Sequence, residues 1–300
     1  MSTSEKRSIV VNRHKIDLSN ESKLYFPHSG ITKGEVIAYY EAIAPYMIPY
    51  LKNRPLSMVR YPDGIAGEHF FQKNVSDHYP SWIKRIAIPK ADGGENIMTT
   101  CNDAATLIYL ANQACLTPHL WLSKVDKLNY PDRLIFDLDP ADTQSFTLVR
   151  TTALALKDIL ESMGLFPFAM TTGSRGMHVV VPIKRTHPFD KVREIALSIA
   201  NACVAQNPDH LTTNIRKEQR QGRLFIDCNR NAFAQTSVAP YAIRAYEHAP
   251  VAAPISWDEV KDVKLTAQRY TIHNVVRKIE NNDAWKGIAK MARVLKNMPS

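Results

Sequence analysis

Apolar residues recur along this chain with two different periods. Between about 31 and 52, Val36, Tyr39, Ile43 and Met47 fall three or four positions apart, the spacing of one helix face. Thr32 and Glu35 stand just ahead in capping-box positions, so a helix is predicted there. A second helix is expected over 103–116, ended ahead of Pro118. Leu148, Leu156, Ile159, Leu160 and Met163 mark a third over about 145–163, stopped by Gly164. Val192, Ile195, Ile199 and Cys203 mark a fourth over 189–205. Alternation with period two predicts strands at 133–139 (RLIFDLD, closed by Pro140) and at 223–228 (RLFIDC). The stretch FAMTTGSRGMHVVVPI holds two apolar runs around a Gly-Ser-Arg-Gly turn and predicts a hairpin. From about 256 the tail reads as two helices. There is no internal repeat and no low-complexity linker. Strands and helices mix without a strict order, which points to an α+β fold rather than a doubly wound sheet.

Composition narrows the class. The chain has 300 residues, 45% hydrophobic and 22% charged, enough for one large domain or two small ones. A formal net charge of +9 fits a polyanionic partner, with nucleic acid the first candidate, although a basic soluble protein would share it. Cys101, Cys115, Cys203 and Cys228 are scattered without a Cys-x-x-Cys pair. That argues against a zinc site and a disulfide framework and fits a reducing cytosol. The N-terminal segment has no apolar core of a signal peptide, and no apolar run is long enough to span a membrane.

Four stretches can carry chemistry. Side chains alternate across a strand, so Asp137 and Asp139 share one face while Leu134, Phe136 and Leu138 point into a core. Two adjacent carboxylates repel unless a cation sits between them, and carboxylate oxygens suit magnesium or manganese. Two solvated aspartates on an edge strand would give the same pattern. Asp227 shares its strand face with Phe225 and gains meaning only as a third carboxylate for a paired-metal site. In TTGSRGMH, Gly173 and Gly176 permit a tight turn whose backbone N–H groups can face an anion, with Ser174 and Arg175 as side-chain donors. His178 opens the next strand and is expected to point back to the turn. An ordinary hairpin turn is the plain alternative, and no Walker lysine follows.

The basic positions come fourth. Arg216 to Arg223 (RKEQRQGR) is dense in cations just before Asp227, and Lys23 and Lys33 flank a Tyr-Phe-Pro turn. Either could track phosphates or be solvated surface. Phe70 and Phe71, beside Lys73, are neighbours on a strand. One of them would be free to stack on a base unless the strand is buried on both faces. Lys90-Ala91-Asp92-Gly93 spells the Lys-x-Asp-Gly pattern of nucleotide-dependent ligases. Four residues with one wildcard, in a polar turn-like stretch and without the later ligase motifs, do not carry that reading.

Phe-Asp-Leu-Asp-Pro, Thr-Gly-Ser-Arg-Gly-x-His, Phe-Ile-Asp and Ala-Pro-Tyr-x-x-Arg follow one another in this order. The ordered set resembles the polymerase domain of prokaryotic non-homologous end-joining ligases, within the archaeo-eukaryotic primase superfamily. The resemblance runs from about 23 to about 257, with a helical tail over about 256–300. It implies a single primase-polymerase-like catalytic domain over 1–300, with mixed and antiparallel sheets flanked by helices.

Position by position, it implies that Asp137 and Asp139 bridge two divalent cations (Mn2+ or Mg2+), with Asp227 the third ligand on one of them. Ser174, Arg175, Gly176 and His178 would bind the triphosphate, with Arg244 and His119 in the same nucleotide site. Phe70, Phe71 and Lys73 would meet the incoming or templating base. Lys23 and Lys33 would receive a DNA 5′-phosphate, and Arg220 would organise the primer end. The family often has lysine where Arg175 stands, and the charge is kept. The implied activity is template-directed nucleotidyl transfer, ribonucleotides preferred, filling gaps and extending ends in double-strand break repair. Implied partners are nucleoside triphosphates, DNA with gaps, overhangs or 5′-phosphorylated ends, a DNA ligase and the Ku end-binding protein, in a prokaryotic cytoplasm at the nucleoid and with no membrane. A primase subunit that starts chains de novo, a two-metal nuclease and a non-catalytic DNA-end binder are the competing expectations.

Overall fold

A computed structural model of the chain describes residues 7–90, 93–141 and 146–297. Ala91 and Asp92 of the ligase-like pattern, the start of the third predicted helix and the extreme end of the tail lie outside the described residues. The fold is mixed α/β, as the element pattern predicts, and its sheets are largely antiparallel, as the resemblance implies. It divides into two units. One comprises Met1–Trp121, Val238–Val251 and Thr271–Val276, the other Leu122–Ser237, Ala252–Tyr270 and Arg277–Ser300.

The second unit is built on a six-stranded sheet. Its order across the sheet is Leu211–Thr212, Leu224–Asp227, Arg133–Asp139, Met177–Pro182, Phe168–Thr171 and Ala253–Ile255. The first pair is parallel and the others are antiparallel. Leu134, Phe136 and Leu138 alternate inward and are fully buried with Val179, Val181, Leu224 and Ile226. The helices Phe146–Ser162 and Phe189–Gln206 cover that face, and both follow the predicted spacing. Leu156 and Leu160 are fully buried, while Leu148, Ile159 and Met163 pack at the margin. The opposite face of the Arg133–Asp139 strand is therefore left for its aspartates.

The strand Leu224–Asp227 is too short to pair the whole of its neighbour. Asn231 completes the edge from the following 3-10 turn. Its side-chain oxygen accepts from Ile135 N–H at 2.8 Å and its Nδ2 donates to the carbonyls of Ile135 and Cys228 at 2.7 and 3.0 Å. A fully buried amide thus satisfies backbone groups that would otherwise be stranded.

In the first unit the helix Lys33–Leu51 carries the predicted capping box, with Thr32 accepting from Glu35 N–H and Glu35 accepting from Thr32 N–H. Val36, Tyr39, Ile43 and Met47 are all buried. The second helix, Ala104–Asn112, is shorter than its predicted 103–116. Ala114 takes a left-handed φ of 65°, and the chain enters a seven-residue strand, Cys115–Trp121, that contains Pro118. That strand joins a sheet with Leu56–Arg60, Glu95–Thr99 and Arg85–Pro89, and Phe70–Gln72 also pairs with Leu56–Arg60. The tail holds the two expected helices. Trp257–Lys261 and Val275–Asn281 are short, and a 3-10 turn, Ile288–Met291, follows.

Candidate active site

Three carboxylates lie on the face of the second unit's sheet opposite its covering helices. Asp137 and Asp139 sit two apart on one strand, and the antiparallel register sets Asp227 directly opposite Asp137. Directly opposite residues hold their Cβ atoms only about 5 Å apart. On the other side Asp137 pairs in register with His178. His178 is buried, and its Nε2 lies 3.3 Å from Asp137 Oδ1, so it faces the aspartates rather than turning back to the loop. Ser237 Oγ lies 3.5 Å from the other ring nitrogen, Nδ1. Arg230 Nε donates to Asp137 Oδ2 at 3.3 Å.

These neighbours set the charges. Burial by itself would push the Asp137 carboxyl up, but His178 and Arg230 outweigh it and hold that carboxyl well below the usual carboxylate range. Asp139 goes the other way. Burial raises it first, the Asp137 charge adds to that, and Arg175 and Arg220 only partly compensate. Among the described residues no three His, Cys, Asp or Glu side chains are drawn together as a finished cation cage. The donor set nevertheless fits a hard divalent ion: three carboxylates on two adjacent strands, one of them held up by burial and by the Asp137 charge.

The turn between Phe168–Thr171 and Met177–Pro182 is built around Thr172. Its hydroxyl accepts from the N–H groups of Ser174 and Gly176 at 3.3 and 3.2 Å and donates to Gly176 O at 3.0 Å. Gly173 has a φ of 65°, which favours glycine. Gly176 is required for a different reason. A Cβ there would fall 1.9 Å from the carbonyl oxygen of Leu138, so the turn approaches the aspartate strand backbone to backbone. Gly176→Ala is accordingly expected to destabilise the protein by about 3 kcal/mol or more, read as a lowered urea midpoint, since a backbone carbonyl cannot rotate away. Arg175 stays exposed and Ser174 half-buried, with its carbonyl accepting from Gln268 at 3.1 Å.

Arg220 belongs to the same face. Its guanidinium lies 3.8 Å from the Phe225 ring centroid and its Nη1 is 3.8 Å from Asp139 Oδ2. It also donates to the carbonyls of Asn214 and Ile215, at 3.1 and 3.0 Å. A cleft of about 130 Å³ opens there, lined by Asp139, Arg175, Lys217, Arg220 and Arg223. The basic run is thus folded around a carboxylate and not merely solvated. Arg230, Asn231, Thr172 and Ser237 were missed by sequence reasoning, because none stands in a spacing that announces a role.

The remaining candidates lie in the first unit. Phe70 and Phe71 are both exposed, at 45% and 48%, so the strand is not buried on both faces. The Arg60 guanidinium lies 5.3 Å from the Phe70 ring centroid, and Phe71 meets the His119 ring edge-on at 5.9 Å. Lys73 follows, exposed. Arg244 is half-buried, its backbone N–H on Pro250 O at 2.7 Å, and its charge reaches Tyr61. The strands Leu24–Phe26 and Ile31–Thr32 form a hairpin that sets Lys23 and Lys33 side by side, with Lys33 N–H on Lys23 O at 2.8 Å. Lys33 is the first residue of its helix. It is buried, its Nζ donating to Ser19 O at 2.6 Å. Burial, and next the Lys23 charge, pull its ammonium down to about 8.

Comparison with known proteins bears on this arrangement. The family model for the LigD primase-polymerase domain matches residues 32–285. The chain belongs to this family. Among LigD proteins, the multifunctional non-homologous end joining protein of Mycolicibacterium smegmatis is 32% identical over 258 residues, 85% of this chain and 34% of that protein. The bifunctional protein of Bacillus subtilis is 30% identical over 267 residues, 89% of this chain and 43% of that protein. The chain therefore spans less than half the length of these relatives. The polymerase domain of Mycobacterium tuberculosis ligase D, solved in complex with DNA, superposes with a TM-score of 0.86 at 27% identity, covering 92% of this chain and 99% of that one. As in the expectation from sequence, no helix among the described residues is long and apolar enough to cross a membrane.

Proposed function

We propose that this LigD-family chain is a template-directed nucleotidyl transferase that fills gaps and extends ends during double-strand break repair by non-homologous end joining. The observation that carries the reading is the triad of strand carboxylates Asp137, Asp139 and Asp227 set against the Gly-Ser-Arg-Gly turn, in a chain of this family. In the reaction a primer 3′-oxygen bonds to the α-phosphorus of a nucleoside triphosphate, the bridging α–β P–O bond breaks, and pyrophosphate leaves with the electron pair. Two divalent cations, Mn2+ or Mg2+, would be held by Asp137 and Asp139, one of them also by Asp227, and would supply Lewis acidity and charge neutralisation.

The protein's own side chains do the positioning. Ser174, Arg175 and the backbone at Gly176 offer donors to the triphosphate. His178 holds the Asp137 carboxylate in place, and Arg230 neutralises the same group until substrate enters. Arg244 and His119 add polar groups for the nucleotide, and Phe70 and Phe71 present ring faces on which a base can stack, with Lys73 for an adjoining phosphate. Arg220, braced on Phe225, is placed to steady a primer end. Lys23 and Lys33 receive a 5′-phosphate across a gap. A ligase and the Ku end-binding protein are the physiological partners this reading names, in a prokaryotic cytoplasm.

Primer extension with labelled nucleotides and either metal tests the proposal directly. Product from a primed template and none from an unprimed one is expected, and de novo product would identify a primase instead. Ribonucleotide preference is part of the reading. When ribo- and deoxyribonucleotides compete in one gap-filling reaction, the ribonucleotide is expected to enter several-fold more often, and a deoxynucleotide excess would overturn it.

A further inference from the structure

Lys23 is not waiting empty-handed. Its Nζ donates to the Pro62 carbonyl at 2.8 Å and makes a short ion pair with Asp63. Pro62 and Asp63 are the central residues of a turn closed by Gly64 N–H on Tyr61 O at 3.2 Å. That turn is pressed onto the strand that follows Lys23. Ile65 N–H donates to Tyr25 O at 2.8 Å. Gly64, at a φ of 76°, comes so close that a Cβ would lie 2.8–2.9 Å from Leu24 O, Tyr25 Cα and Tyr25 O. The contact between Asp63 and Lys23 is therefore built in by backbone packing. It is not a chance meeting of two long surface side chains.

We infer that Asp63 is an internal competitor for the 5′-phosphate and sets how tightly a phosphorylated end is held. This rests on the proposal that Lys23 and Lys33 receive that phosphate. Asp63 Oδ1 and the Pro62 carbonyl take two of the three ammonium donors, and the carboxylate charge opposes a phosphate that approaches the third. Among the described residues Lys33 has no such stand-in: its ammonium donates to the neutral Ser19 oxygens, with the Glu21 charge acting on it electrostatically. A terminal phosphate must either push Asp63 aside or bind against its charge, whereas an end bearing a hydroxyl meets neither cost. The Asp63 side chain is 70% exposed, so it can swing into water when displaced. Exposed ion pairs are weak, and the expected handicap is about two- to fivefold in affinity. A weakened grip suits an enzyme whose product must be surrendered: once the gap is filled, the same 5′-phosphate has to reach a strand-sealing step.

The test is Asp63→Asn, which keeps the shape and the turn preference while removing the charge. Affinities for one gapped duplex, with a 5′-phosphate and with a 5′-hydroxyl, are measured for both proteins. The variant is expected to bind the phosphorylated gap about two- to fivefold more tightly and to release it more slowly, with hydroxyl binding unchanged, so that the ratio widens. Hydroxyl binding also reports that the variant is folded. An unchanged or narrower ratio, or an equal gain for both ends, overturns the inference. If wild type fails to distinguish the two ends at all, the lysine pocket itself is wrong, which is a separate and recognisable result.

Discussion

Asp137→Asn should reduce primer extension by about 10³-fold or more while the protein still binds gapped DNA, because a carboxylate that would hold the divalent cations against the reacting phosphates is gone. Single-turnover extension under saturating metal and nucleotide measures it, and wild-type rates in the variant would remove the triad from the chemistry. Asp137 and Asp139 should also separate in metal-free stability. Asp137 is held below its ordinary range, so its ionised form stabilises the fold above about pH 4, and that contribution is lost as pH falls through the folded-state value. Asp137→Asn is therefore expected to lower the metal-free unfolding free energy by about 1–2 kcal/mol, read as a lower midpoint, through lost contacts to His178 and Arg230. Asp139 is raised, so its ionised form costs stability at neutral pH, and Asp139→Asn should leave the midpoint equal or higher. Divalent metal should reverse that order by stabilising wild type over either variant.

The aspartate strand was legible because its two functions use opposite residues. A period of two separates Leu134, Phe136 and Leu138 from Asp137 and Asp139 without reference to the rest of the chain. The capping box at Thr32 and Glu35 was legible for a similar reason: both partners lie within one turn. What failed was local information used across a change of element. Apolar residues continue from the helix Ala104–Asn112 into the buried strand Cys115–Trp121, and periodicity cannot divide one buried run from the next. The dividing event is the left-handed turn at Ala114, a residue with no turn signature. Pro118 was read as a stop, yet it fits its strand, where its carbonyl accepts from Ala239 N–H at 3.1 Å.

The site shows the same limit. Asp137, His178 and Asp227 are distant in sequence and meet through strand register alone. Their residue types could be nominated from sequence, but the pairing of His178 with Asp137 needed the sheet. Arg230 and Asn231 had no signal at all. They follow the third carboxylate on a 3-10 turn and reach back to Asp137 and Ile135, contacts that only a folded edge creates. Asp63 was invisible for the opposite reason, since Pro-Asp-Gly reads as a turn and nothing in it names Lys23.

Replacing Lys23 and Lys33 together by Ala should erase the preference for a 5′-phosphorylated gap, a loss of about 10- to 100-fold for that end, with weaker, salt-sensitive duplex binding retained. Lys33 gives this prediction a pH signature. Its ammonium is buried at a helix N-terminus, beside another cation, and pulled down to about 8. It is charged below that value and neutral above it. A phosphate monoester takes on its second charge near pH 6. The two requirements overlap between about 6 and 8, so discrimination between phosphate and hydroxyl ends should peak there and fall on both sides. The alkaline fall belongs to the protein. Bound phosphate favours the charged lysine, so binding at about pH 8 should take up a fraction of a proton, visible as a dependence of calorimetric heat on buffer ionisation enthalpy. Lys33→Arg remains charged throughout this range and should flatten the alkaline limb while keeping part of the preference. A wild-type preference that holds undiminished to pH 10, or a double variant that still distinguishes the two ends, would show that the phosphate is received elsewhere.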